Sequence, residues 1–340
     1  MSMAGNRGFV SLLFAATLVV ACDKGGGGTS GGTGNPLTGG GAPAATASAL
    51  DYIPKDTGMV IGFNWSKFKG TKFYDMLVGA VPAEGKKELD DIKASCGIDY
   101  LSDFDSVVVG VGPNMDKAKL VIVVKGNWND DKVGKCATAI GQKKGKKITV
   151  AKEGNISSYA TEGEKTVYVG WADNIAVVTP AAMEGDKTYL TEVLKKASSV
   201  KDNKEFMDLY NRTDSAGTMY GAFQATPEMA DSLGKATGGN EKMTGGYFTL
   251  KLGSGLDINA ALRFAAATDA KSVSDRVNSE LDGFKKQNQQ AAEFLKNASV
   301  ATSDKDMVLK LNLDDKQLDQ LTQMLKQMAP MLGMMMGGGQ

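Results

Sequence analysis

The chain of 340 residues contains no histidine, three cysteines and no excess of charge of either sign, with 39 basic and 39 acidic side chains. Each absence removes a class of function. Without imidazole there is no neutral-pH proton shuttle of the usual kind, and the commonest nitrogen ligand for zinc, copper or iron is missing. Serine-histidine and cysteine-histidine hydrolases are therefore excluded, along with most metal enzymes. Charge balance leaves no overall field to gather nucleic acid, whose binding draws on surplus Lys and Arg, so no nucleic-acid partner is expected. Long apolar runs are also scarce. The most pronounced, Gly8 to Val20, is too short to span a bilayer as a helix.

What is present begins with that run. Arg7 supplies a positive start, the apolar stretch follows, and Leu18-Val19-Val20-Ala21-Cys22 closes it. This layout reads as a secretion signal over residues 1–21, and the closing residues resemble the bacterial lipobox, in which the cysteine is acylated and becomes the new N-terminus. The resemblance implies Cys22 as a lipid anchor, membrane attachment through that lipid, and a bacterial cell-envelope location. A cleaved soluble export signal with a chance cysteine is the alternative. Cleavage before Cys22 removes 21 of the 340 residues and leaves 319. Asp23 resembles the inner-membrane retention signal of enteric bacteria, a rule that differs among bacterial groups, so either membrane remains open. Within the linker, residues 22–48, the composition from Gly25 to about Ser48 collapses to Gly, Thr, Ser, Ala and Pro, with ten of the 42 glycines between Cys22 and Gly41. Such a segment has nothing to bury and is expected to be a disordered tether. No Lys-Ser or Lys-Thr follows its glycines, so it is not a phosphate loop.

Beyond the tether the chain shows internal symmetry. Gly58 to Phe63 has a partner in Gly217 to Phe223, and each strand-like segment opens a half. Ser106–Gly112 with Leu120–Val124, and Gly246–Leu252 with Ala260–Phe264, read as hairpins. Each hairpin feeds a helix, capped by Asn129 or Asp130 in the first half and Thr268 or Asp269 in the second. Val133, Cys136, Ala137 and Ile140 keep helical spacing, as do Val273, Val277, Leu281 and Phe284. A single offset of about 140 residues superposes hairpins and helices together, although any alternating α+β chain aligns loosely with itself. Strands at 148–150, 167–171 and 175–179 and a helix at 190–197 follow; the second half echoes them at 299–302, 307–313 and 315–327. The expectation is an α+β fold of two related units, 49–200 and 201–328, each an antiparallel sheet with helices packed on one face, followed by a Met/Gly-rich tail at 329–340.

With Cys22 acylated, Cys96 and Cys136 remain as an even pair in an oxidising compartment and read as a structural disulfide closing a loop of about 40 residues. Two free buried thiols are the alternative, and the spacing lacks the Cys-x-x-Cys of a redox-active pair. Met328, Met331 and Met334 have the spacing of thioether motifs that hold Cu(I) or Ag(I), soft sulfur suiting a soft ion. The plainer reading continues an amphipathic helix through Leu318, Leu321, Leu325 and Met328 and frays after Pro330. No resident metal or cofactor is assigned.

Other motifs resolve into structure. Gly110-Val111-Gly112 lacks the third glycine of a dinucleotide fingerprint, position 115 being Met. Lys143, Lys144, Lys146 and Lys147 form a basic knot that a solvated turn explains. Asp103 with Asp105, and Asp304 with Asp306, alternate without the Gly and Glu of a calcium loop. Asp130-Asp131 and Asp314-Asp315 sit where helix caps belong.

The stretch Ile53-Pro54-Lys55-Asp56-Thr57-Gly58-Met59-Val60 through Phe63-Asn64, followed by Phe68, resembles the start of repeated domains in uncharacterised bacterial envelope lipoproteins, a likeness that implies no activity or site. The sequence thus points to a non-catalytic envelope lipoprotein that binds or scaffolds a protein or envelope component. A carrier of an apolar ligand or lipid is the second expectation, Cu(I) binding by the tail the third, and a carboxylate enzyme the least supported.

Overall fold

The computed structural model describes residues 49–320 and residue 323, apart from residues 82, 100, 101, 114, 115, 117, 118, 238–240 and 288. Twelve antiparallel strands form one sheet. The first seven are β1 (Met59–Asn64), β2 (Phe104–Val111), β3 (Val121–Gly126), β4 (Ile148–Glu153), β5 (Ile156–Thr161), β6 (Val167–Ala172) and β7 (Ile175–Val178). The other five are β8 (Met219–Gln224), β9 (Met243–Leu252), β10 (Leu256–Phe264), β11 (Ala298–Ser303) and β12 (Asp306–Leu313). Their spatial order is β11-β12-β10-β9-β8-β1-β2-β3-β7-β6-β5-β4. From the central β1–β8 ladder outward, β1-β2-β3-β7-β6 on one side has the same connectivity as β8-β9-β10-β12-β11 on the other. The hairpin β4–β5 is an addition to the first half.

The helices are α1 (Trp65–Phe68), α2 (Lys72–Ala80), α3 (Ala83–Cys96), α4 (Asp130–Lys143), α5 (Pro180–Met183), α6 (Thr188–Leu194), α7 (Lys204–Tyr210), α8 (Pro227–Thr237), α9 (Ala267–Gln287) and α10 (Gln289–Phe294). The two-residue period of the strands sends their apolar side chains to both faces. On one face Ile122, Val124, Tyr159, Val169 and Trp171 pack with Ile92 of α3 and Cys136, Ala137 and Ile140 of α4. The same face in the second half joins Phe264, Val300 and Met307 to Ala270 and Val273 of α9. Thus α4 and α9, the equivalent helices of the two halves, lie on one face. The opposite face carries Val60, Val121, Val123, Val177, Tyr220 and Tyr247 under Ala182, Leu190, Val193, Phe206 and Leu209 of α5, α6 and α7. These short helices add a layer that the strand alternation did not announce.

The β1–β8 ladder runs from Met59↔Phe223 to Phe63↔Met219. Tyr220, fully buried, lies over Gly62, where any Cβ would collide with its ring. The neighbouring Gly246 lies under Phe223, whose Cε1 would stand 2.6 Å from an added Cβ. Glycines in strand interiors weaken a sheet; here they let large rings lie flat across the neighbouring strand. The Asn64 amide donates to the Ser215 and Gly217 carbonyls at 2.8 and 2.6 Å and pins the end of β1 to the chain entering β8.

Cys96 and Cys136 are disulfide-bonded, with Cα atoms 4.5 Å apart and a sequence separation of 40, so the bond fastens α3 to α4. Close approach of α4 to β4 depends on Gly141, where an added Cβ would sit 2.7 Å from Ile148 Cγ1.

Several local expectations change. Asn129 does cap α4, accepting from Lys132 N at 2.9 Å. Neither Thr268 nor Asp269 caps α9: the helix starts at Ala267 and the Asp269 N–H already bonds to Ala266 O, placing the carboxylate in the first turn. Phe284 does not complete the apolar stripe and is 47% exposed. The 21 residues of α9 are about 31 Å long, whereas the six-residue β11 beside it spans about 20 Å, so the last turns run past the strand. Strand β5 was not expected at all, because Ile156-Ser-Ser-Tyr-Ala-Thr161 carries little aliphatic signal.

Two outcomes follow. Gly62→Ala and Tyr220→Ala should each lower the urea midpoint, Gly62→Ala by the equivalent of about 1–3 kcal/mol through overpacking. The double variant should lose less than the sum, because the ring that clashes is gone; strict additivity would refute the packing account. Cys96→Ala should lower stability by about 3–4 kcal/mol in the loop-entropy model, read from the same unfolding curves, and wild type under reductant should move with it.

Candidate functional site

A surface crevice of about 530 Å³ opens where the ends of β2, β3 and β7 meet the start of α4. Strand β2 contributes Asp105 and β3 contributes Lys125 and Gly126; the connection into α4 adds Asn127, Trp128 and Asn129; Lys132 comes from the first turn of α4, and Asn174 from the turn between β6 and β7. Pairing of β3 with both β2 and β7 sets these elements side by side. The turn at Asp173–Asn174 is tight, with Asp173 at φ 53°, a conformation that Asp adopts more readily than most residues.

Charges in the crevice are matched. Lys125 Nζ faces Asp105 at 3.9 Å. Lys132 Nζ bonds to Asp103 Oδ2 at 3.3 Å and to Asn127 O at 3.2 Å. Asn129 spends its Oδ1 on the helix cap, which leaves its NH₂ facing outward as a donor. Asn174 uses its backbone carbonyl for Gly126 N at 3.2 Å, and its side-chain amide makes no hydrogen bond among the described residues. Gly126 forms the floor: a Cβ there would meet Asp103 O at 2.5 Å and Trp128 Cε2 at 2.9 Å. Trp128 is 6% exposed, stands edge-on to Phe104 at 4.4 Å, and its Nε1–H is buried without a hydrogen-bond partner. Through Phe104 it connects to Trp65, which touches Phe63 on β1 and Tyr74 on α2.

A second polar constellation lies on the opposite face of the second half. Asp306, 1% exposed, accepts from Arg263 Nη1 at 3.0 and 3.2 Å, Arg212 Nη1 at 3.1 Å and Tyr247 Oη at 3.2 Å. Arg263 and Asp306 are cross-strand partners in the β10–β12 ladder. A carboxylate this heavily bonded has its capacity filled, so the group holds the segment after α7 to the sheet and has no acceptor to spare for chemistry. Burial and the Asp306 charge push the Tyr247 phenol up to about 12.

The residues singled out on sequence distribute as follows. Cys22 and Met328, Met331 and Met334 lie outside the described residues. Of the basic knot, Lys143 pairs with Asp91 at 2.6 Å and Lys146 with Glu164 at 2.5 Å. Asp130 pairs with Lys152 at 2.6 Å and accepts from Ser157 Oγ. Asp314 and Gln317 cap the helix that follows β12 reciprocally, at 2.9 and 3.0 Å. Asp103 and Asp105 do come to the crevice, one behind Lys132 and one on its wall. Lys125, Asn127, Trp128, Lys132 and Asn174 carried no motif; the cap at Asn129 marked their neighbourhood, and the Asp173-Asn174 pair between two strands is the turn signal that could have added to it. Among the described residues there is no group of three or more His, Cys, Asp or Glu side chains placed to hold a metal ion, and no helix long and apolar enough to cross a membrane.

Fold and site define an α+β protein built on one continuous antiparallel sheet with a polar crevice at its strand ends. No family model matches the chain, and no curated protein matches it. Two solved structures are similar in outline. Crystal form I of TP0453 aligns over 81% of this chain and 96% of that one, at 10% identity and a TM-score of 0.40. Crystal form III of TP0453 aligns over 81% and 98%, at 8% identity and 0.42. A likeness at this level is reported as such, and the site is read from its own residues.

The Tyr247 shift has a definite sign. A phenol whose pKa is higher in the folded state than its unfolded value of about 10 adds stability that is complete below pH 10 and is lost as pH rises through about 12. Unfolding midpoints should therefore fall across that window, and Tyr247→Phe should fall less steeply than wild type; parallel curves would show that Tyr247 contributes nothing to the alkaline loss.

Proposed function

We propose that the protein is a lipid-anchored, non-catalytic lipoprotein of the bacterial cell envelope, fixed to a membrane through Cys22, whose folded part binds or scaffolds an envelope component. The observation that carries this reading is the run Leu18-Val19-Val20-Ala21-Cys22 with a Gly-rich stretch directly behind it and a folded sheet protein beginning near residue 49. A multiply acylated cysteine holds a protein at a membrane because each buried methylene contributes about 0.8 kcal/mol. A Gly-rich coil of this length reaches about 25–30 Å, which sets the sheet beyond the headgroups. The disulfide between Cys96 and Cys136 supports export to an oxidising compartment, since such bonds persist there and are rare in the cytosol. The crevice supports binding over catalysis: its charged side chains are paired, Lys132 with Asp103 and Lys125 with Asp105, and the Asn129 side-chain oxygen is held by the helix cap. Its polar lining also favours a hydrophilic component over an apolar cargo.

Growth with labelled palmitate tests the anchor. Wild type should carry label and sediment with membranes, and Cys22→Ala should lose both; label retained in Cys22→Ala would refute the proposal.

A further inference from the structure

We propose that the crevice between β2, β3, β7 and α4 is a binding site for an uncharged saccharide. This names the component class for the proposed function and rests on that reading for its location in the envelope, but not for its chemistry. Three features of the walls select the ligand. First, none of the lining side chains is aliphatic. An acyl chain would bury most of its length against polar groups, and a peptide would find neither a side-chain pocket nor, here, a strand edge to extend. Second, the charges cancel locally, Lys125 against Asp105 and Lys132 against Asp103. A phosphate or a polyanion would have to break these pairs, whereas a neutral ligand leaves them intact. Third, the remaining valences are amide groups from separate elements. Asn129 offers its NH₂, and Asn174 offers both NH₂ and carbonyl oxygen. An amide that donates and accepts within one plane matches the vicinal hydroxyls of a sugar, each of which also does both.

Trp128 lines the crevice, so its indole reports on what settles there, while its Nε1–H is itself shielded from solvent within the wall. The ring is held in place by its T-shaped contact with Phe104. The site is also rigid: Gly126 admits the indole only because it lacks a Cβ, and Asn129 is fixed by the cap it forms. The volume of about 530 Å³ lies within the range of about 300–1,000 Å³ usual for ligand sites.

The experiment uses the full chain in detergent, ¹⁵N-labelled, titrated with the tetramer of N-acetylglucosamine as a neutral glycan probe. The indole resonance missing in Trp128→Phe assigns the Trp128 Nε1–H peak among the three tryptophans. The expected result is a saturable shift of that peak, with Kd weakened at least tenfold in Asn174→Ala, an exposed residue whose replacement leaves the fold intact by circular dichroism. No shift at the solubility limit of the sugar, or an unchanged Kd in Asn174→Ala, would overturn the proposal. So would a tighter response of the same peak to inorganic phosphate, which would make the crevice an anion site. Palmitate labelling is unaffected by any of these outcomes, so failure here is distinguishable from failure of the anchor.

Discussion

The five residue pairs of the β1–β8 ladder hold the molecule together as one sheet. Seven strands lie on one side of this contact and five on the other. Without it each half would expose a central strand whose hydrogen-bonding groups need partners. The contact is strengthened beyond its backbone bonds. Tyr220 lies over Gly62, Phe223 over Gly246, and the Asn64 amide holds two carbonyls of the approaching chain. Substituting a larger residue at either glycine would lift a ring that closes the core, so the ladder is specified by missing side chains as much as by present ones.

The crevice depends on the ladder at one remove. Strand β2 is held by β1, β3 by β2, and β7 by β3, and the crevice forms where three of these strands end. The ring contacts from Phe63 through Trp65 and Phe104 to Trp128 follow the same route on one face of the sheet. On the other side of α4 the Cys96–Cys136 bond fixes the helix to α3. The crevice is thus bordered by elements that are each fixed elsewhere, as a preorganised polar site needs.

Much of the fold was legible in the residues. Alternation and turn chemistry located both hairpins, and Asn129 and the 133–140 stripe placed α4, because local preference and tertiary burial agree at those positions. What was not legible depends on distance. Ile156–Thr161 becomes a strand because β4 and β6 flank it, not because its own residues demand it. The layer of α5, α6 and α7 arises because β3 and β7 are buried on both faces, which reads in sequence as an unbroken apolar run such as Val121–Val124 and gives no direction. The site was the least legible part. Asp103, Asp105 and Asn129 stood out individually, but Lys125, Trp128 and Asn174 acquire meaning only when β3 meets β7.

The extra hairpin β4–β5 has a consequence for how copies of the chain meet. Near-symmetry about the central ladder would give the sheet two alike margins, but the hairpin replaces one of them. The margin at β4 is exposed from Thr149 to Glu153 and carries Lys152 and Glu153. The margin at β11 offers Ser299, Ala301 and Thr302, small and uncharged. Charged side chains on a terminal strand oppose pairing with a foreign strand. Head-to-tail stacking of copies into a fibre would set the uncharged margin of one against the charged margin of the next at every joint, which opposes such growth. The hairpin thus gives the sheet a direction, and opposes the growth of a long, open sheet into a polymer.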